Sequence, residues 1–187
     1  VSTGSAYLRI MNDLEINSGN LYSPSPFTTI YVGGDWTNNV GDAGFTEGNN
    51  SVIFFGSGLS DITTDETFYD LVIDKTNTSY NAVDIFADNT IHVLNDLDIT
   101  DGCLEMASNS TLDVDNDLTI ASGAGLNAAS DNNLNILVGG DWDNDNTSYS
   151  TTYGFNPGTS STVTFNGSTL QNLYTDCSQE DFFNLII

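Results

Sequence analysis

The sequence is nearly devoid of positive charge. Across 187 residues it carries two basic side chains, Arg9 and Lys75, against 26 Asp and Glu, for a formal net charge of −24. Binding to nucleic acid or to an anionic membrane surface rests on clustered Lys and Arg, so this shortage excludes both as partners. The balance suits a chain bathed in salty, cation-rich water, where charges are screened beyond about 8 Å. Lys, Glu, Gln and Arg, the residues that fill helix surfaces, are scarce. Thr, Ser, Asn, Asp and Gly take the polar positions instead, a composition that favours strands and turns over helices. No apolar run reaches the roughly 18 residues of a membrane-crossing helix, so membrane insertion is not expected. The sequence opens on patterned residues without an initiating Met or a signal-peptide pattern, which reads as a mature or excised segment.

Chemistry-bearing motifs are equally sparse. The single histidine, His92, alternates onto a polar face beside no recognisable Ser or Cys partner, and neither a Gly-rich phosphate loop with Lys nor a Cys/His cluster occurs. The acidic residues fall at repeated positions, whereas the carboxylate pair of a glycosidase would be unique. Thr63-Thr64 and Thr151-Thr152 lie outside the repeat frame, which argues against a regular ice-binding array. The chain is read as a non-enzyme.

What is present is pattern. Hydrophobic residues make up 39% of the chain, with eight Tyr and ten Phe spread evenly, enough to build a core and to exclude a disordered acidic tail. Ile30-Tyr31-Val32-Gly33-Gly34-Asp35-Trp36 returns 106 residues later as Ile136-Leu137-Val138-Gly139-Gly140-Asp141-Trp142. Gly44-Phe45 returns as Gly154-Phe155 after 110 residues, Val52–Gly56 as Val163–Gly167 after 111, and Phe68–Ile73 as Phe182–Ile187 after 114. Order is kept while the offset grows, as when strands are fixed and the loops between them tolerate insertion. One copy spans about 30–73, intervening coils fill 74–135, and a second copy spans 136–187 of a continuous array.

A shorter repeat is nested inside. Ile10-Met11-Asn12-Asp13-Leu14-Glu15-Ile16 matches Val93–Ile99 and Val114–Ile120, and the Gly-Gly-Asp-Trp segments fit the same frame. The key positions 12, 34, 95, 116 and 140 are spaced by 22, 61, 21 and 24, with the 61-residue gap close to three turns. Such spacing is that of a solenoid with one coil per repeat. The expected fold is all-β, a parallel β-solenoid with coils of about 22 residues; tandem β-sandwich repeats with hairpin spacing are the competing architecture.

Read with period two, Ile91, Val93, Asn95, Leu97 and Ile99 share one face, and the residues between them share the other. The apolar face thus carries a recurrent Asn, at Asn12, Asn95 and Asn116, expected to satisfy one another as a structural ladder between coils. Gly34, Trp36, Gly140 and Trp142 form a core motif; the indoles are better explained by packing than by sugar stacking. Asp96, Asp117 and Asp141 are expected as an outward column roughly 4.8 Å apart. Carboxylates that close suit a hard cation, and Ca²⁺ is the cofactor to test, at these three or at Asp143 and Asp145 in Asp141-Trp142-Asp143-Asn144-Asp145. That segment resembles the opening of an EF-hand loop, but lacks the Gly and the closing Glu. Cys103 and Cys177, 74 residues apart, would lie about 16 Å apart along such a stack. That exceeds the roughly 7 Å limit between Cα atoms, so the thiols are expected to be unlinked.

Taken together, Val-x-Asn-Asp-Leu-x-Ile, Val-Gly-Gly-Asp-Trp, Gly-Phe-x-x-Gly, Val-x-Phe-x-Gly and Phe-x-x-Leu-x-Ile resemble repeats of very large secreted surface proteins of the Bacteroidetes type. The resemblance covers nearly the whole chain. It implies export by a type IX system and a place in a gliding-type adhesin or a filamentous cell-surface appendage. The resulting expectation is an extracellular structural or adhesive rod module whose partners are neighbouring repeats and further copies in a homo-oligomer or filament. A module presenting glycan- or Ca²⁺-binding side loops, around Asp141 to Tyr153, is the alternative, with a cell-surface glycan as target.

Overall fold

The computed structural model describes residues 6–22, 27–77, 79–128 and 133–187. They form strands and turns without a helix, and the strands pair in parallel. Three strands make a coil, and about eight coils roughly 22 residues apart stack into a solenoid. Sheet 1 has eight strands, Ala6–Ile10, Phe27–Val32, Ser51–Gly56, Asp70–Lys75, Leu97–Asp101, Leu118–Ile120, Trp142–Asn144 and Leu173–Thr175. Sheet 2 has seven, Leu14–Ile16, Trp36–Asn38, Ser60–Ile62, Val83–Ile85, Cys103–Met106, Gly125–Asn127 and Gly154–Asn156. Sheet 3 has six, Glu66–Phe68, Thr90–Val93, Thr111–Val114, Leu134–Val138, Ser161–Phe165 and Asn184–Ile186. In the first two coils the third side is a short separate pair, Leu21–Tyr22 with Phe45–Thr46. Parallel pairing throughout excludes the sandwich alternative, which is built from antiparallel hairpins.

The alternation in the sequence explains each strand. Thr111–Val114 and Leu134–Val138 bury every second residue, and Ser161–Phe165 does so up to Val163, with Phe165 partly buried. Register then places like on like: Leu71, Leu97, Leu118 and Trp142 form one inward column of sheet 1, and Ile91, Leu112, Ile136 and Val163 one of sheet 3. Each of these side chains is at most 1% exposed. Burying one aliphatic side chain contributes about 1.5–3 kcal/mol, so the columns supply the stacking force between coils.

The long repeat does not close on the coil. Phe27–Val32 is the fourth strand of the chain and its counterpart Leu134–Val138 the eighteenth. Those fourteen strands are four coils and two strands over, so the second copy lies one sheet round from the first. Trp36 opens a strand of sheet 2, whereas Trp142 opens one of sheet 1. For the same reason the 61-residue gap between positions 34 and 95 is two turns and two thirds rather than three. The short motif turns the corner from sheet 1 to sheet 2 at Asp13 and Asp35. From Asp96 onward it turns the corner from sheet 3 to sheet 1. Two of the three corners thus carry the same motif, each between two strands of the parallel stack.

Both cysteines are free, Cys103 buried and Cys177 half-buried.

Candidate functional site

The aspartates that end each Asn-Asp or Gly-Asp pair form two ladders, one per corner. In the first, Asp35 N donates to Asp13 Oδ1 at 3.0 Å and Asp61 N to Asp35 Oδ1 at 2.9 Å. In the second, Asp117 N donates to Asp96 Oδ1 at 3.3 Å, Asp141 N to Asp117 Oδ1 at 2.7 Å and Asn172 N to Asp141 Oδ1 at 2.7 Å. A corner breaks the sheet ladder and would leave an amide unpaired. The Asp of one coil accepts the corner N–H of the next, so the expected column has a structural task. A Cβ on Gly34 or Gly140 would collide with the Asp13 or Asp117 side chain below it. This explains why these two coils have Gly where others have Asn.

The three corner asparagines do not form a core ladder. Asn12 and Asn116 are exposed and Asn95 is half-buried, and Asn12 stands at a different corner from the other two. Asn95 Nδ2 donates to Asp70 Oδ1 at 2.8 Å and Asn116 Nδ2 to Asp96 Oδ1 at 2.7 Å. The bend turns these side chains out of the period-two frame, so they brace the aspartates below instead of one another. The interior amides are elsewhere, at Asn38, Asn127, Asn144 and Asn146.

Two of those amides belong to a node repeated in both long copies. Trp36 packs edge-on against Phe45 and Phe68, at 4.9 and 5.1 Å between ring centroids. Trp142 does the same with Phe155 and Phe182, at 5.0 and 5.5 Å. Both indoles are fully buried, in agreement with the core reading. In the first node buried Glu66 Oε2 accepts Trp36 Nε1 at 2.7 Å and Asn38 Nδ2 at 3.0 Å. In the second Asn144 Nδ2 donates to both oxygens of Glu180, at 3.1 and 3.0 Å. Sequence reading missed Asn38, Glu66, Asn144 and Glu180 as members. The signal was present, since Trp-x-Asn recurs after 106 residues and Glu-x-Phe after 114. Burial holds the Glu66 carboxyl above its ordinary range, partly offset by the donors from Trp36, Asn38 and the Thr67 amide.

Among the calcium candidates, Asp117 has one oxygen engaged by the coil above, Asp96 has Oδ1 engaged by the coil above and Oδ2 by Asn95, and both oxygens of Asp141 accept from Asn172. Asp143 points outward from the Trp142–Asn144 strand and Asp145 is exposed. The Asp143 carboxyl is raised first by burial, then by the charges of Asp145, Asp176 and Asp141. That acidic corner is where cation charge would relieve most repulsion.

A different donor set lies on the outer face of sheet 3. Register sets His92 beside Asp113, and Asp115 follows at the corner. One ligand atom from each residue falls within 4.8 Å of the others. His92 Nε2 approaches Asp115 Oδ1 to 3.1 Å, near enough for an ion pair but not aligned as a hydrogen bond. His92 Nε2 and Asp113 Oδ1 are both hidden from solvent and make no hydrogen bond. One imidazole and two carboxylates suit a borderline divalent ion such as Mn²⁺ or Zn²⁺ better than Ca²⁺. The outward placement of His92 follows from its alternation, whereas its acidic neighbours come from the next coil.

Comparison with protein-family models, curated proteins and solved structures gives no match for this chain. The functional reading therefore rests on geometry.

Proposed function

We propose that the chain is a structural module, a stiff rod element of a large extracellular surface protein or filament, without a catalytic role. The observation that carries this reading is the parallel stack, continuous through sheets 1 and 2, whose apolar columns and aspartate ladders join the coils mainly to their neighbours. Such quasi-one-dimensional cohesion makes a rod, here roughly 40 Å long at the spacing of parallel strands. The acidic surface keeps such a rod soluble in salty water. The motif resemblance to giant surface proteins supports the adhesin or filament setting. Small-angle scattering of the 187-residue chain tests the shape, with an elongated particle of about that length expected. A flexible, expanded ensemble would sink the proposal, as would polysaccharide cleavage that one Asp→Asn or Glu→Gln change abolishes.

A second reading, a cation- or glycan-presenting module, is favoured by the His92, Asp113 and Asp115 donors. Calorimetric titration with Mn²⁺, Zn²⁺ and Ca²⁺ separates the sites. Mn²⁺ or Zn²⁺ heat lost in His92→Ala assigns the outer face of sheet 3. Ca²⁺ heat lost in Asp143→Asn instead assigns the corner around Asp141, Asp143 and Asp145. The absence of any heat rejects cation presentation.

A further inference from the structure

Sheet 3 brings three metal-ligating side chains together in the middle of the stack. Three strands make a coil, so Thr90–Val93, the twelfth strand, closes the fourth coil and Thr111–Val114, the fifteenth, closes the fifth. Both are flanked within the sheet, by Glu66–Phe68 on one side and Leu134–Val138 on the other. Alternation turns Ile91, Val93, Leu112 and Val114 into the core, where each is fully buried, and leaves His92 and Asp113 paired on the outer face. Asp115 N donates to Val93 O at 2.8 Å, which carries the pairing past the strand ends and sets Asp115 beside Leu94. His92, Leu94, Asp113 and Asp115 are then the four corners of one outward patch, two from each coil.

The ligand atoms of this patch converge. One from each of His92, Asp113 and Asp115 lies within 4.8 Å of the other two. Ligands held about 2.0–2.2 Å from one ion stand about 2.8–3.6 Å apart in octahedral or tetrahedral geometry. His92 Nε2 and Asp115 Oδ1 have that separation, 3.1 Å, without hydrogen bonding across it. His92 Nε2 and Asp113 Oδ1 are shielded from solvent and neither makes a hydrogen bond. Buried polar atoms are normally satisfied, and a single cation satisfies both at once. Half of the Asp115 side chain is exposed, so the outward side of the patch stays open to water.

We propose that His92, Asp113 and Asp115 bind one borderline divalent ion, Mn²⁺ or Zn²⁺, as a staple between the fourth and fifth coils, so that cohesion in the middle of the rod follows the concentration of that ion. The staple rests on the cation reading of the site and gives the ion its task. Neither coil holds the set alone. The fourth supplies the imidazole and the fifth both carboxylates, from positions 21 residues apart at the nearest. The donors meet only when the two coils are stacked in register, so the ion binds the stacked state and favours it by the factor 1 + [ion]/Kd. Coils cohere mainly with their neighbours, which confines the effect to that junction. The charge of the ion also offsets two carboxylates of a chain with a net charge of −24.

Hydrogen exchange of the 187-residue chain, with each ion first titrated by calorimetry, tests the staple. At free Zn²⁺ or Mn²⁺ about 100-fold above Kd, exchange at the junction is expected to slow by about 100-fold. The reporters are the Asp115 and Asn116 amides, which donate to Val93 O and Asn95 O. The Gly33 and Gly34 amides, which join the first two coils through Ile10 O and Asn12 O, can open without parting the fourth coil from the fifth and should not change. Losing even an outer-shell partner of a metal ligand costs about 10–100-fold in affinity. His92→Asn and Asp115→Asn, which remove a ligand from either coil at partly exposed positions, should therefore each weaken binding by at least about tenfold, abolish the protection and leave the circular dichroism unchanged. Binding without slower exchange at the junction overturns the staple while the cation reading stands. Binding retained in His92→Asn overturns it equally, because one coil then holds the ion. If neither ion binds, both fall.

Discussion

Cys103 and Glu66 show how burial in this stack changes a side chain's chemistry. Burial, reinforced by the Glu105 charge, pushes the Cys103 thiol up to about 12, so the nucleophilic thiolate is scarce at neutral pH. Cys177 is half-buried. Maleimide at pH 8 is expected to modify Cys177 and to spare Cys103 until the chain unfolds, as read by mass spectrometry. Rapid labelling of both in the folded chain would contradict the buried placement. Glu66 is raised above its ordinary value of 4.5, chiefly by burial. A carboxyl raised in the folded state contributes stability that is whole below the unfolded value and is lost as pH rises through the folded one. Melting temperature between pH 4 and 7 should therefore fall more steeply in the native chain than in Glu66→Gln. Parallel curves would show that Glu66 is not the titrating group.

The corner between two strands is the element that makes stacking specific. Asp117→Ala removes the acceptor of the Asp141 amide, and an unpaired buried donor costs about 1–3 kcal/mol. Gly140→Ala forces a methyl into the Asp117 side chain and should cost about 1–3 kcal/mol through overpacking. The two substitutions share the Asp117 side chain, although the Gly140 methyl also meets the Asn116 backbone, so the double variant is expected to lose somewhat less than the combined single losses, measured by urea unfolding. Full additivity would mean that the ladder and the glycine act separately. The Asp column itself was legible, because Asp recurs after each Asn or Gly. Its task was not, since an unpaired corner amide belongs to the backbone of the neighbouring coil. Asn12, Asn95 and Asn116 show the opposite error. Period two holds along a strand but fails at a bend, and a bend cannot be distinguished from a strand by alternation alone.

At the scale of the whole molecule, like charge and burial act in the same direction. Asp61, Glu66, Asp98, Asp113 and Asp143 are all raised, each chiefly by burial. Their contribution to stability is complete below the ordinary carboxylate values of 3.8 to 4.5 and declines as pH rises through the shifted values. The chain should melt at a higher temperature near pH 4.5 than at pH 7 in low salt, and added salt should narrow the difference by screening. Calorimetry finding the reverse order would refute it. Coils that depend on their neighbours also make the two ends the least stable part. Hydrogen exchange is expected to be fastest there and slowest around Leu97–Ile120.

The period-two alternation and the nested spacings of 21 to 24 residues and about 110 residues pointed by themselves to an all-β repeat fold, a parallel solenoid ahead of a sandwich array, with inward apolar faces and buried tryptophans; the parallel pairing that excludes the sandwich came from the structure. The pattern reaches that far because hydrophobic burial at a regular strand spacing is periodic along the chain. Only the tertiary structure decided which corner each motif turns, since fourteen strands against three per coil shift the frame by one sheet. It alone paired His92 with Asp113 and Asp115, and Glu66 with Trp36 and Asn38. Those meetings depend on the register between coils, which short insertions alter without leaving a mark on local periodicity.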